Sequence, residues 1–505
     1  MRTPFRHILL SALLVAFFSV FAVGAHGQQQ DAPARTAPPR AVDDDLLRVE
    51  LLGLATDPKL ARAHLGLYVK SLTTGEVLLD VNGERLFIPA STMKLFTTAA
   101  AISLLGPDYT YRTPVLLHGV VEDGALRGDL VVRGVGDPSF SGIFHDDRPL
   151  AVFEEWAQTL KQRGVRRIEG DLVGDATFFQ GPPLGEGWNW DDESYWYSAQ
   201  TGALAFNEST ANVTVRAVGA PGEPVGWEMA PVPGYLEVEN EAENGPAGTA
   251  VSFVAERRRG ANVLEMAGVL PRGQQARFAV SLEDPAAWFL YALRHVLQAN
   301  GVAVQGSTRA VRDPSDAGPW IDATPLAIYT SPPLSALATY TNRESHNFYA
   351  EQLLKTMGAV KMNLGTARAG AEAVMSWAAT MGVDRGSLVM VDGSGLSRKN
   401  LVSPRAMVAM LGSMRNAPAF ESFYETMPVA GCHGSLANRM CGTLAENVAR
   451  AKVGYVTHDI SLAGYTRNQG GEWYAYALFV NNHAGAVRDA KAMQDAIVIA
   501  LTAAE

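Results

Sequence analysis

The sequence predicts an α/β protein whose helix-and-strand segments, near both ends of the chain, are separated by a long β-rich insertion. Three observations carry this. Residues 46–110 read as a helix, a strand pair and then a strongly apolar helix. From about 111 to 322, Gly, Pro and short alternating runs replace helical periodicity. From about 323 the helical period returns, and the chain closes on two strands and a helix. One domain built from 46–110 and 323–505, split by an insertion at 111–322 with two nested subdomains, accounts for all three.

The elements follow in order. Residues 45–54 read as a helix, and 65–70 and 76–80 as a β-hairpin turning at Thr73-Thr74-Gly75. Leu95, Phe96, Ala99, Ala100, Ile102, Leu104 and Leu105 then make a helix apolar on nearly all sides, which reads as buried. In the insertion, 116–120, 128–133 and 170–174 are strand-like, and tryptophans cluster at Trp188, Trp190 and Trp196. One helix there is marked by Asp284 as cap, Pro285 in its first turn, and Trp288, Leu290, Leu293 and Leu297. Residues 334–357 and 366–381 are helically periodic, and 404–414 is a helix with Ser403 as cap and Pro404 in its first turn. Residues 460–466 and 473–480 read as strands, and 487–501 as the last helix.

Composition narrows the function. A hydrophobic content of 47% supports sizeable cores. A net charge of −10, with only Arg257-Arg258-Arg259 as a basic run, argues against nucleic acid as a partner. Arg2, Arg6 and His7 precede an apolar run at 8–23 and the small residues Ala22, Gly24, Ala25 and Gly27, so 1–27 reads as a secretory signal peptide. An uncleaved anchor is the alternative. Residues 28–45, rich in Gln, Ala, Pro and charge, read as a flexible leader. The expectation is an exported protein with at most peripheral membrane contact. The chain has 2 cysteines, Cys432 and Cys441, which read either as one local disulfide or as two buried thiols. The lone His433 beside them makes no zinc site.

The chemistry is concentrated at Pro89-Ala90-Ser91-Thr92-Met93-Lys94, at the mouth of the apolar helix. Ser91 is the only serine in the chain with a lysine three residues on. That spacing puts both side chains on one helical face. An amine in an apolar setting has a lowered pKa and can take the proton of a neighbouring hydroxyl. Further along, Ser345-His346-Asn347 pairs a hydroxyl with an amide. Alone it reads equally as a helix cap. Lys452-Val453-Gly454 reads as the start of a strand where a glycine lets a substrate backbone lie close. Alone it reads equally as an edge lysine that blocks strand addition.

In order, S-x-x-K, S-x-N and K-x-G form the motif series of penicillin-binding proteins and serine β-lactamases. The gap between the first two is longer than a simple β-lactamase needs, and the β-rich insertion fills it. The chain resembles the low-molecular-mass class C penicillin-binding proteins, the DacB-like D-alanyl-D-alanine carboxypeptidase/endopeptidase family. The likeness extends to Gly136-Asp137-Pro138, Gly174-Asp175 with Phe178, Gly181-Pro182-Pro183, and Trp188-Asn189-Trp190-Asp191-Asp192. It also covers ESHNFYAE at 344–351, Asp392-Gly393-Ser394-Gly395-Leu396-Ser397-Arg398, Pro428-Val429-Ala430-Gly431 and Ser461-Leu462-Ala463-Gly464-Tyr465.

The resemblance implies a transpeptidase fold like that of penicillin-binding proteins and serine β-lactamases, an antiparallel sheet flanked by helices. It implies a periplasmic serine hydrolase without metal or cofactor. Its substrates are peptidoglycan stem peptides, and β-lactams are its covalent inhibitors. Ser91 is then the nucleophile and Lys94 its base, held neutral with help from the charge of Lys452. The backbone N–H groups of Ser91 and Tyr455 form the oxyanion hole, Ser345 and Lys452 return the proton to the leaving amine, and Asn347 binds the acyl-side amide. Asn347, Val453, Gly454 and Tyr455 are expected to line the substrate site. Val453 departs from the threonine usual in the family, whose hydroxyl helps bind a free carboxylate, and Tyr455 replaces a small hydroxyl residue. A serine β-lactamase and a catalytically weak peptidoglycan-binding protein of the same fold are the alternatives.

Overall fold

The computed structural model describes residues 44–318, 320 and 322–504. The expected signal peptide lies outside the described residues, as does all but the end of the expected leader. Residues 44 and 45 belong instead to the first helix, α1 (Asp44–Ala55). Leu47, Leu51 and Ala55 stand at helical spacing and bury together, which pulls the helix start forward.

The central sheet joins both ends of the chain. Strands β1 (His64–Ser71), β2 (Val77–Val81), β3 (Arg450–Val456), β4 (Asp459–Arg467) and β5 (Trp473–Asn481) lie in the order β2-β1-β5-β4-β3, every pair antiparallel. The strand period of two sorts their side chains. Leu67, Val69, Ile460, Leu462, Tyr474 and Tyr476 pack with α1 and with α7 (Val487–Ala503). Tyr68, Ala463, Tyr465, Ala475, Ala477 and Phe479 pack on the other face with α2 (Met93–Leu105), α5 (Ala367–Thr380) and α6 (Pro404–Arg415). Covering both faces explains why these strands read as continuous apolar runs. In α2 every residue from Met93 to Ile102 is buried, as its all-round apolar character requires.

The periodic stretch 334–357 is two helices, α3 (Leu334–Arg343) and α4 (Asn347–Met362). Ser345 has φ +59, a left-handed backbone that no helix continues through.

In the insertion, Arg112–Glu122 and Ala125–Arg133 form an antiparallel pair, and Leu172–Asp175 and Thr308–Val311 add in parallel. Thr324–Thr330 then pairs antiparallel with Arg112–Glu122. The sheet therefore extends past residue 322, through a strand that buries Leu326 in its core. Smaller sheets between 210 and 281 share that core. Asp284 caps the helix Pro285–Ala299 by accepting from the N–H of Ala287 at 3.1 Å. Cys432 and Cys441 meet neither expectation: both thiols are free and exposed, on irregular surface chain between α6 and β3.

Helix α6 packs against β1 and β5, and Ser403 caps it, its Oγ accepting from the N–H of Ala406 at 3.1 Å. A buried cap of this kind is worth about 1 kcal/mol. Ser403→Ala is expected to lower the midpoint of urea unfolding by a corresponding amount, with the slope of the transition unchanged.

Candidate active site

The turn before α2 is held from below. Asn481 clamps Ile88, its Oδ1 accepting from the Ile88 N–H (2.7 Å) and its Nδ2 donating to the Ile88 carbonyl (3.1 Å). The Pro89 carbonyl accepts from Thr92 Oγ1 (2.7 Å) and Ser461 Oγ (2.5 Å). Ala90, with φ +47, turns the chain into the helix. The result is a half-exposed Ser91 above a fully buried Lys94.

Lys94 Nζ lies 2.9 Å from Ser91 Oγ, 2.6 Å from Asn347 Oδ1 and 2.7 Å from the Ser394 carbonyl oxygen. The last two can only accept. A neutral amine has two N–H bonds and one lone pair. With both N–H bonds taken, the lone pair is left for the hydroxyl of Ser91. Burial pushes the Lys94 ammonium down to about 7, against Asp392 and Glu351, each of which pulls it up when ionised. Burial, rather than the charge of Lys452, is thus the main cause of its depression. Lys452 is itself held well below the usual lysine range, first by burial and then by the like charge of Lys94.

Ser345, in the left-handed turn between α3 and α4, accepts from Lys452 Nζ at 2.8 Å, which also donates to the Val453 carbonyl at 2.8 Å. Asn347 opens α4. Its Nδ2 donates to the Tyr197 carbonyl of the insertion at 2.7 Å, leaving one of its two amide N–H bonds for another acceptor. Between them, His346 is buried beside Trp196 (ring centroids 5.3 Å) and pushed down to about 3 by burial and by Lys94, so its ring is neutral.

On β3 the period of two turns Lys452 and Gly454 toward α2. A Cβ on Gly454 would stand 2.9 Å from Ser91 N, 2.7 Å from the Pro89 carbonyl and 2.1 Å from Ser461 Oγ. Only glycine fits there, and it seats the strand directly against the backbone of Ser91. Val453 is half-buried against the cluster on the α1 and α7 face, and Tyr455 is exposed. The structure thus gathers Ser91, Lys94 and Asn347 into one hydrogen-bonded group and Ser345 with Lys452 into another.

Sequence reasoning assigned no role to the segment 392–397. Asp392 holds it by accepting from the N–H groups of Gly395 and Ser397 (2.7 Å each) and from Trp188 Nε1 of the insertion (2.9 Å). Glu351 Oε1 accepts from the N–H groups of Gly393 (2.9 Å) and Ser394 (2.8 Å). A backbone carbonyl such as that of Ser394 has no sequence signature. The available signals were the likeness of 392–398 and 344–351 to the family and the position of Glu351, one helical turn after Asn347.

Residues 47–504 match the family described as D-Ala-D-Ala carboxypeptidase 3 (S13). A D-alanyl-D-alanine carboxypeptidase of Actinomadura sp. (strain R39) is 36% identical over 467 residues, covering 90% of this chain and 84% of that protein. The D-alanyl-D-alanine carboxypeptidase DacB of Haemophilus influenzae is 27% identical over 433 residues, covering 83% of this chain and 86% of that protein. The crystal structure of penicillin binding protein 4 (dacB) from H. influenzae is similar with a TM-score of 0.77 at 25% identity, covering 88% of this chain and 97% of that one. The same protein complexed with a novel β-lactam gives a TM-score of 0.73 at 24% identity over the same shares. With residues 47–504 matched and a hydrogen-bonded serine–lysine pair in place, the chain belongs to the D-Ala-D-Ala carboxypeptidase 3 (S13) family of serine hydrolases.

Proposed function

We propose that Ser91 is the nucleophile and Lys94 the general base of a D-Ala-D-Ala carboxypeptidase acting on peptidoglycan stem peptides. The observation that carries this is the set of partners around Lys94 Nζ, two acceptors and one hydroxyl, on an amine depressed to about 7. Ser91 Oγ attacks the carbonyl of the penultimate D-alanine as its proton passes to Lys94. The N–H groups of Ser91 and Tyr455 receive the oxyanion, each such donor being worth about 3 kcal/mol. As the tetrahedral intermediate collapses, the proton taken from Ser91 passes on through Lys452 and Ser345, which are hydrogen-bonded, to the departing amine of the terminal D-alanine. The free N–H of Asn347 binds the acyl-side amide, and water then hydrolyses the Ser91 ester.

β-Lactams acylate the same serine, their ring amide standing where the scissile amide would. Cross-linked stem peptides, whose leaving amine lies on a second strand, are cleaved by the same steps, which makes the enzyme an endopeptidase as well. The signal-like segment at 1–27 supports action outside the cytoplasm, in the periplasm.

Intact mass spectrometry after benzylpenicillin is expected to show one covalent adduct on the wild type and none on Ser91→Ala. The acylation rate should rise with pH through about 7, because Lys94 must be neutral to accept the proton. An adduct on Ser91→Ala, or a rate falling across that range, would overturn the assignment.

Gly454→Ala is expected to reduce acylation at least ~100-fold by displacing Ser91 N, measured with the same adduct. Val453→Thr puts a hydroxyl on the edge strand that carries Lys452 and Gly454. Hydrolysis of peptides ending in free D-alanine should rise by roughly tenfold, with little change on cross-linked dimers. Equal effects on both substrates would assign Val453 to packing alone.

A further inference from the structure

We propose that Glu351 is a positioning residue for the reaction: from α4 it fixes the peptide whose carbonyl directs the lone pair of Lys94 onto Ser91. The inference rests on the reading of Lys94 as the base.

Glu351 is buried one turn beyond Asn347, so a single helix face positions both acceptors of Lys94 Nζ. Asn347 does so directly, with its own Oδ1 at 2.6 Å. Glu351 does so through the backbone. Its Oε1 takes the N–H groups of Gly393 and Ser394, and the carbonyl of that same Ser394 accepts from Lys94 Nζ at 2.7 Å. From the other side, Thr97 Oγ1, one turn along α2 from Lys94, donates to the Gly393 carbonyl at 2.6 Å. The Gly393-Ser394 peptides are therefore held between two helices, with their N–H groups toward α4 and their carbonyls toward α2.

Without an acceptor at 351, two buried N–H groups lose their partner. The peptides would turn to find another, and the Ser394 carbonyl would leave Lys94. The freed N–H of Lys94 would then go to Ser91 Oγ, the one acceptor left, and the lone pair would point away from the hydroxyl. The far half of the segment does not depend on Glu351. Asp392 holds it through Gly395, Ser397 and Asn400 Nδ2. Loss of Glu351 thus acts on the 393–394 peptides and leaves the rest of the segment in place.

Burial and the nearby Asp392 push the Glu351 carboxyl up to about 8. At neutral pH its accepting oxygen is largely that of a carboxylic acid, which the amide oxygen of glutamine reproduces in place and reach. Aspartate keeps the acid but falls one methylene short.

The test is the saturation kinetics of acylation by benzylpenicillin, which separates the non-covalent Kd from the acylation rate constant. Glu351→Ala and Glu351→Asp are expected to lower the rate constant by about 100-fold, the usual cost of a small misplacement at a reacting centre. Their Kd should stay within about threefold, since Asn347 and β3 still hold the ligand. Glu351→Gln is expected to recover the rate constant to within about tenfold of wild type. Glu351→Gln losing as much as Glu351→Asp, or a loss confined to Kd, overturns the proposal. Should Glu351→Ala fail to fold, the comparison of Gln with Asp decides by itself. A wild type that forms no adduct, or an adduct on Ser91→Ala, overturns instead the reading on which the inference rests.

Discussion

A lysine amine cut off from water, with two obligate acceptors and one hydroxyl as its neighbours, is the constraint on which this structure depends. Buried ammonium is expensive, and burial drives Lys94 toward its neutral form. A neutral amine donates only twice. The placing of its two acceptors decides where its lone pair goes, and so whether Ser91 meets a base or merely a hydrogen-bond donor. Those acceptors come from α4 and from the segment 392–397, neither of which touches α2 in sequence. The apolar surroundings of α2 set the chemistry of Lys94 as much as they build the core.

The insertion takes part in this arrangement. It meets α4 along one ladder of side chains: Asn347 to the Tyr197 carbonyl, Tyr349 to Glu208, Gln352 to the Gly136 and Gly202 carbonyls, and Lys355 to the Pro182 carbonyl. Trp188 adds a hold on Asp392. Most of these bonds end on backbone carbonyls of irregular chain, where no helix or sheet supplies a partner. Docking the insertion thus satisfies its own loops while it orients the helix that carries Asn347 and Glu351.

The central sheet plays the matching role for the other wall. Strand β3 lies at the sheet edge, where Gly454 lets it approach the backbone of Ser91, and Ser461 of the neighbouring strand ties down Pro89. The alternation that turns Lys452 inward also turns Val453 to the opposite face. A residue whose chemistry departs from the family's threonine therefore also takes part in packing on the side of α1 and α7.

Local pattern was enough for much of this. The spacing of Ser91 and Lys94, the all-round apolar α2, the caps at Asp284 and Ser403, and the strands that close the chain are short-range consequences of side-chain period and backbone preference. They are readable because each depends on residues within a turn or a strand. The strand at 324–330 was not readable, since it joins its sheet only by pairing with Arg112–Glu122. The break at Ser345 was half readable: Ser345-His346-Asn347 reads as a helix cap, while the apolar period runs on through it. Only the tertiary structure brought the Ser394 carbonyl to Lys94 and gave Glu351 a partner. A carbonyl is the same in every residue. The sequence could pair Ser91 with Lys94, but the direction of one lone pair was settled by chain hundreds of residues away.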